Sequence, residues 1–139
     1  MDQAFTLAVR STHDAIAPAS AAAEAWLQRH GAGPRTVFLI QLAIEELVTN
    51  CIKYAYDDAA GHTIAIALAL DGPSLTMTVV DDGRPFNPLT VPPPDLASPI
   101  EDRPIGGLGL HLVREMAAGA IAYQRLNGKN RLTLTTRMT

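Results

Sequence analysis

The chain has 139 residues, a formal net charge of −3, and is 47% hydrophobic and 18% charged, which suits one folded domain over 1–139 and excludes a disordered polymer. Mild acidity without a basic run excludes an electrostatic footprint for nucleic acid, and the longest apolar run, residues 64–70, is too short to span a bilayer. The lone Cys51 excludes an internal disulfide framework, and with Arg10 interrupting any apolar leader it points to a reducing, cytoplasmic setting.

Phe5, Leu7 and Val9 alternate with smaller or polar neighbours and predict a short first strand. Ser11 or Asp14 is placed to cap a helix running to about His30, with Pro18 tolerated in its first turn. Gly31, Gly33 and Pro34 stop that helix and open the next. The second helix is expected over 34–56. At 100° per residue, Val37, Ile40, Ile44, Leu47, Val48 and Cys51 share a core-facing stripe, whereas Glu46, Asn50 and Lys53 share another on roughly the opposite side.

Ile64, Ile66, Leu68 and Leu70 alternate with alanines, a turn follows at Asp71, Gly72, Pro73 and Ser74, and Leu75, Met77 and Val79 resume the alternation. This pattern predicts an antiparallel hairpin that delivers Asp81 at its end. Seven of the ten prolines fall between positions 85 and 104, so that stretch reads as one long loop. Gly106, Gly107 and Gly109 open a helix over about 108–118. Residues 121–126, a turn at 127–130 and residues 132–137 close the chain as a second hairpin. By pattern alone this is a mixed α/β domain with helices packed on one sheet.

Three stretches carry possible chemistry. Glu46, Asn50 and Lys53 align at i, i+4 and i+7, suiting a carboxylate base beside an amide that ligates Mg²⁺; a solvated helix face has the same spacing. Asp81-Asp82-Gly83 after a strand can accept a hydrogen bond from an exocyclic amine while the glycine lets backbone approach closely; a simple turn also accounts for it. Gly106-Gly107-Leu108-Gly109 at a helix start offers free N–H groups and the positive dipole end to an anion, or serves only as a turning loop. It is neither a Walker motif nor a dinucleotide fingerprint. His13, within Ser11-Thr12-His13-Asp14, reads as a surface or capping histidine, and Trp26, Tyr54 and Tyr56 as core or interface aromatics.

In this order, Glu46-Leu47-Val48-Thr49-Asn50, Asp81-Asp82-Gly83-Arg84-Pro85-Phe86 and Gly106-Gly107-Leu108-Gly109-Leu110-His111-Leu112-Val113 resemble the GHKL (Bergerat) ATP-binding fold of gyrase, histidine kinases and MutL. The wording is most similar to the anti-sigma-factor serine/threonine-protein kinases of the RsbW type. Asn130-Arg131-Leu132-Thr133-Leu134 also looks like that family's last strand, so the resemblance covers essentially the whole chain. It implies an α+β two-layer sandwich with a mixed, mostly antiparallel sheet and helices on one face.

Carried onto these positions, the resemblance makes Glu46 the catalytic base, Asn50 the Mg²⁺ ligand, and Lys53 a neighbour of the phosphates. Asp81 would bond the adenine amine, Gly83 would give the ring room, and Gly107, Leu108 and Gly109 would bind phosphates of ATP. Residues 89–105 would form a lid. Pro85 stands where the wider superfamily has a second glycine, and Asn87 where a carboxylate is frequent. The implied partners are a sigma factor and a STAS-domain anti-anti-sigma protein, and the implied assembly is a homodimer. An ATP-binding regulatory module without phosphotransfer is the alternative; the detached catalytic domain of a histidine kinase fits the length and lid wording less well.

Overall fold

The alternating apolar residues build a five-stranded sheet. The computed structural model describes residues 3–56, 61–90, 108–118 and 120–139. Strands β1 (Ala4–Arg10), β2 (Thr63–Asp71), β3 (Ser74–Asp81), β4 (Ile121–Leu126) and β5 (Lys129–Arg137) lie in the order β1-β2-β3-β5-β4. Every neighbouring pair is antiparallel, so the sheet is wholly antiparallel rather than mixed.

Side chains on one sheet face alternate into the core: Ile64, Ile66 and Leu68 of β2, Leu75, Met77 and Val79 of β3, and Leu132 and Leu134 of β5. They form one cluster with Trp26 and Leu27 of α1 (Ile16–Arg29), Ile40, Ile44 and Val48 of α2 (Pro34–Asn50), and Leu110 and Val113 of α3 (Leu108–Met116). The other face carries short residues such as Ala65, Ala69, Thr76 and Thr78, none of them fully buried. The result is an α+β fold of two layers. Among the described residues, no helix is long and apolar enough to cross a membrane.

The predicted elements recur with three differences. The first helix is preceded by a 3-10 turn over His13–Ala15, and its first α-helical residue is Ile16, which leaves Pro18 within the first turn. The second helix is α-helical only to Asn50; Cys51–Ala55 widen into a π-helical turn, so Lys53 does not continue the α-helical spacing of Glu46 and Asn50. The carbonyls released there are taken by Arg84, whose N–H donates to Ala55 O at 2.9 Å and whose Nε–H donates to Tyr54 O at 2.8 Å. Satisfying end carbonyls in this way lets the helix stop against the β3 terminus.

The third difference is the last hairpin. Its turn is only Asn127 and Gly128, with φ of 53° and 74°, the left-handed pair that a two-residue type I′ turn requires. Lys129 and Asn130 therefore belong to β5, as the family resemblance placed Asn130 and the four-residue turn did not. Gly106, Gly107 and most of the expected lid lie outside the described residues. At the lid's root, Asn87 Oδ1 accepts from Leu89 N at 2.9 Å and organises a 3-10 turn over Pro88–Thr90, and Arg114 Nη1 donates to Leu89 O at 3.2 Å.

Candidate functional site

β3 runs Leu75, Met77, Val79, Asp81 with each of these side chains buried. Asp81 is thus the next inward position after three apolar ones, a carboxylate carried into the core by strand alternation. It is 6% exposed, and a carboxylate in that setting needs donors. Oδ1 accepts from Gly83 N and from Asn130 Nδ2, both at 2.9 Å. Oδ2 accepts the thiol of Cys51 at 3.3 Å. A thiol is a weak donor, so Oδ2 keeps most of its acceptor capacity.

Beside Asp81 opens a small, narrow slot. Its apolar walls are Leu47, Val79, Phe86, Pro88 and Leu132, and its polar groups include Asn50, Asp81, Tyr123 and Asn130. An apolar slot with few convergent polar groups is the pattern of a small-molecule site. Cys51 also lines it. Burial, then the Asp81 charge and hydrogen bond, push the Cys51 thiol well above its ordinary pKa, so it stays protonated and donating.

Glu46 and Asn50 lie one α-helical turn apart near the end of α2, both half-buried. Burial raises the Glu46 pKa first and the neighbouring Glu45 charge raises it further, while Lys53 pulls it down. Lys53 is exposed. Gly109, near the start of α3, lies against the Glu46 carboxylate: a Cβ at 109 would overlap Glu46 Oε1 and its carboxyl carbon. Helices α2 and α3 therefore meet where the expected base, Glu46, lies against Gly109, the one of the expected phosphate-binding glycines that is described. Leu108 begins α3, and Gly107 lies just beyond the described residues.

Gly83 is buried, and a Cβ there would meet the backbone of Ala55 in the π turn. Its small size is required by that protein contact. Tyr54, exposed on the same turn, stacks on Phe86 with ring centroids 4.8 Å apart, and Tyr56 donates its hydroxyl hydrogen to Asp82 Oδ1 at 2.8 Å. Trp26 is fully buried, stacks on Phe5 and packs at a tilt against His30. His13 is exposed on its 3-10 turn.

Pattern reading gave no role to Asn130, Tyr123 or Arg125. Asn130 is 5% exposed and bonded to Asp81, and it accepts from Tyr123 and Arg125. The signal was available: Leu134, Leu132 and Asn130 are successive inward positions of one strand, and a buried asparagine at such a position must be serving other polar groups.

The chain and its fold have known relatives. The histidine kinase-like ATPase domain family matches residues 9–136. The chain is 34% identical over 104 residues to the serine/threonine-protein kinase BtrW of Bordetella bronchiseptica, covering 73% of this chain and 71% of that one. It is 36% identical over 81 residues to the serine-protein kinase RsbW of Bacillus mycoides, covering 55% of this chain and 50% of that protein. The chain thus aligns over about half the length of that RsbW relative. The crystal structure of the RsbU and RsbW domains of Rv1364c from Mycobacterium tuberculosis superposes on 99% of this chain and 33% of that one, with a TM-score of 0.69 at 21% identity. That likeness concerns the fold. The chain belongs to the histidine kinase-like ATPase domain family, among relatives that are serine/threonine-protein kinases.

Proposed function

We propose that this chain is an ATP-dependent serine/threonine-protein kinase that phosphorylates a STAS-type anti-anti-sigma protein and sequesters a sigma factor, as a cytoplasmic homodimer. The observation that carries the nucleotide reading is Asp81, a buried carboxylate at the edge of an apolar slot, with Oδ1 committed to protein donors and Oδ2, among the described residues, bonded to a thiol. In this reading Oδ2 accepts a hydrogen bond from the adenine amine, and Val79, Leu132 and Leu47 pack the purine. The kinase chemistry is supported by the names of the relatives; the sigma-factor and STAS partners and the dimer follow from the resemblance to the RsbW branch.

Phosphotransfer then divides among few groups. Glu46 takes the proton of the partner's serine hydroxyl as that oxygen attacks the γ-phosphorus, and the bond from γ-phosphorus to the β–γ bridging oxygen breaks to release ADP. The raised pKa of Glu46 suits a base, since proton affinity grows with it. Asn50 lines the slot and offers an amide oxygen to Mg²⁺, which when bound offsets charge on the phosphates. No cluster of three or more His, Cys, Asp or Glu among the described residues could hold a metal by itself. The remaining ligands would therefore be phosphate oxygens and water, the usual arrangement for Mg²⁺ at a nucleotide. Lys53 would neighbour the phosphates, and Leu108 and Gly109 at the start of α3, with Gly107 just before the described residues, would supply backbone N–H groups to them.

Thermal unfolding with Mg-ATP, on the wild type and on Asp81→Asn, tests the site. A ligand that binds only the folded state stabilises it by about 2.7 kcal/mol at a hundredfold excess over Kd. A rise that Asp81→Asn abolishes is the expected result; no rise in the wild type at millimolar Mg-ATP would sink the reading. Incubation with a STAS-type substrate should then yield acid-stable phosphoserine or phosphothreonine, whereas acid-labile phosphate would mean a histidine acceptor.

A further inference from the structure

We infer that Asn130 is the positioning residue that sets base selectivity, holding Asp81 in the rotamer that reads a 6-amino group. The inference rests on the nucleotide site proposed above. Three adjacent strands present one rung, in which Asp81 of β3 pairs with Asn130 of β5, and Asn130 pairs in turn with Arg125 of β4.

Within that rung the Asn130 amide is saturated. Its Nδ2 donates to Asp81 Oδ1 at 2.9 Å and to Arg84 O at 2.8 Å, which uses both hydrogens. Its Oδ1 accepts from Phe86 N at 3.2 Å, from Arg125 Nη1 at 3.2 Å and from the Tyr123 hydroxyl. Turning the amide over would set its NH₂ against the Phe86 N–H and the Arg125 guanidinium, neither of which can accept. The network therefore admits one orientation of Asn130, and that orientation aims a donor at Oδ1 of Asp81.

The consequence falls on the other carboxylate oxygen. Gly83 N and Asn130 Nδ2 both hold Oδ1, so the carboxylate cannot rotate to exchange its two oxygens without breaking two buried bonds. Among the described residues, Oδ2 keeps the weak Cys51 donor and a fixed direction. A fixed, acceptor-only oxygen favours a base carrying an amino group over one carrying none, because without the amine it stays desolvated and poorly paired. Arg125 secures the arrangement further: the same Nη1 donates to Gly83 O at 2.8 Å, tying the edge strand to the turn that follows β3.

The test compares Kd for ATP and for purine riboside triphosphate, which lacks the 6-amino group, in the wild type, Asn130→Ala and Asn130→Leu. Asn130→Leu is close to isosteric, removes the donor to Asp81 and adds no charge beside that carboxylate; near-UV circular dichroism identifies which variant is folded. We expect the wild type to prefer ATP by about tenfold or more, and the folded variants to bring that ratio close to one. Variants that weaken both nucleotides equally and keep the wild-type ratio would overturn the inference, leaving Asn130 a structural prop. Equal binding of the two nucleotides by the wild type would overturn it as well. A wild type that binds neither nucleotide marks failure of the ATP-site reading itself, a different result from a preserved ratio.

Discussion

The carboxylate of Glu46 rests against the Cα of Gly109, with no room for a side chain between them. One residue comes from the last turns of α2 and the other from the first turn of α3, so the Glu46 side chain and the start of α3 are in direct contact. Gly109 lies within α3, where glycine is intrinsically unfavourable by about 0.5–1 kcal/mol relative to alanine. Its presence against that preference is explained by what its missing Cβ leaves space for.

Gly109→Ala should consequently separate stability from activity. Alanine is the better helix former, but its methyl would displace the Glu46 carboxylate. A displacement of about 1 Å in a catalytic group costs on the order of 10²-fold in rate. We expect phosphotransfer to fall by about that factor while the unfolding midpoint moves little. A variant with full activity would show that Glu46 is free to move or has no catalytic part.

The raised pKa of Glu46 gives two expectations of opposite sign. A base must be unprotonated, so the phosphotransfer rate should fall on acidification, with its inflection above the ordinary glutamate range. Stability behaves otherwise. Burial favours the protonated form in the folded state, so the contribution of Glu46 to stability is present below its unfolded pKa and is lost as pH rises through the raised folded pKa. Glu46→Gln should thus reduce phosphotransfer by about 10²- to 10⁴-fold, retain ATP binding, and unfold at a higher temperature than the wild type at neutral pH. Unchanged turnover in Glu46→Gln would remove Glu46 from the mechanism.

Gly83 is constrained by the protein. A methyl there would stand 2.6 Å from Ala55 Cβ and 2.8 Å from its carbonyl carbon, with the carbonyl oxygen closer still. Those are largely backbone atoms of the π turn, held by Arg84, and they cannot step aside as a flexible side chain would. Gly83→Ala should cost about 1–3 kcal/mol, as overpacking in a fitted interior does. Urea unfolding should show a lower midpoint at unchanged slope. An unchanged midpoint would mean that the turn yields and that the glycine serves some other end.

Much of this arrangement was legible because it depends on period. The stripe of Val37, Ile40, Ile44, Leu47, Val48 and Cys51 is buried as a 3.6-residue period requires, and Asp81 lies inward because Leu75, Met77 and Val79 do. What escaped depends on contacts between distant segments. The π turn at Cys51–Ala55 ends where it does because Arg84, about thirty positions on, takes its carbonyls, and no local pattern announces that. Asn130 is hidden by its neighbours, since Asn-Gly-Lys-Asn has the composition of four turn residues. The two-residue Asn-Gly turn would have put it on the inward side of β5. The strand order β1-β2-β3-β5-β4 is not legible in the pattern, because alternation fixes which face a residue takes and leaves open which strand lies beside it.

Cys51 offers a direct probe of the slot. Its thiol is buried, faces Asp81 Oδ2, and has its pKa pushed up by both. Only the thiolate attacks disulfide and maleimide reagents, so the folded protein should react with Ellman's reagent at least about tenfold more slowly than the urea-unfolded chain at the same pH. Asp81→Asn should speed the reaction, because it removes the charge that opposes thiolate formation. Mg-ATP should slow it further in the wild type, since Cys51 lines the cavity proposed for the base, and should leave the rate in Asp81→Asn nearly unchanged. Cysteine reactivity that ATP does not alter, in a wild type shown by thermal shift to bind ATP, would place the nucleotide elsewhere than beside Cys51 and Asp81.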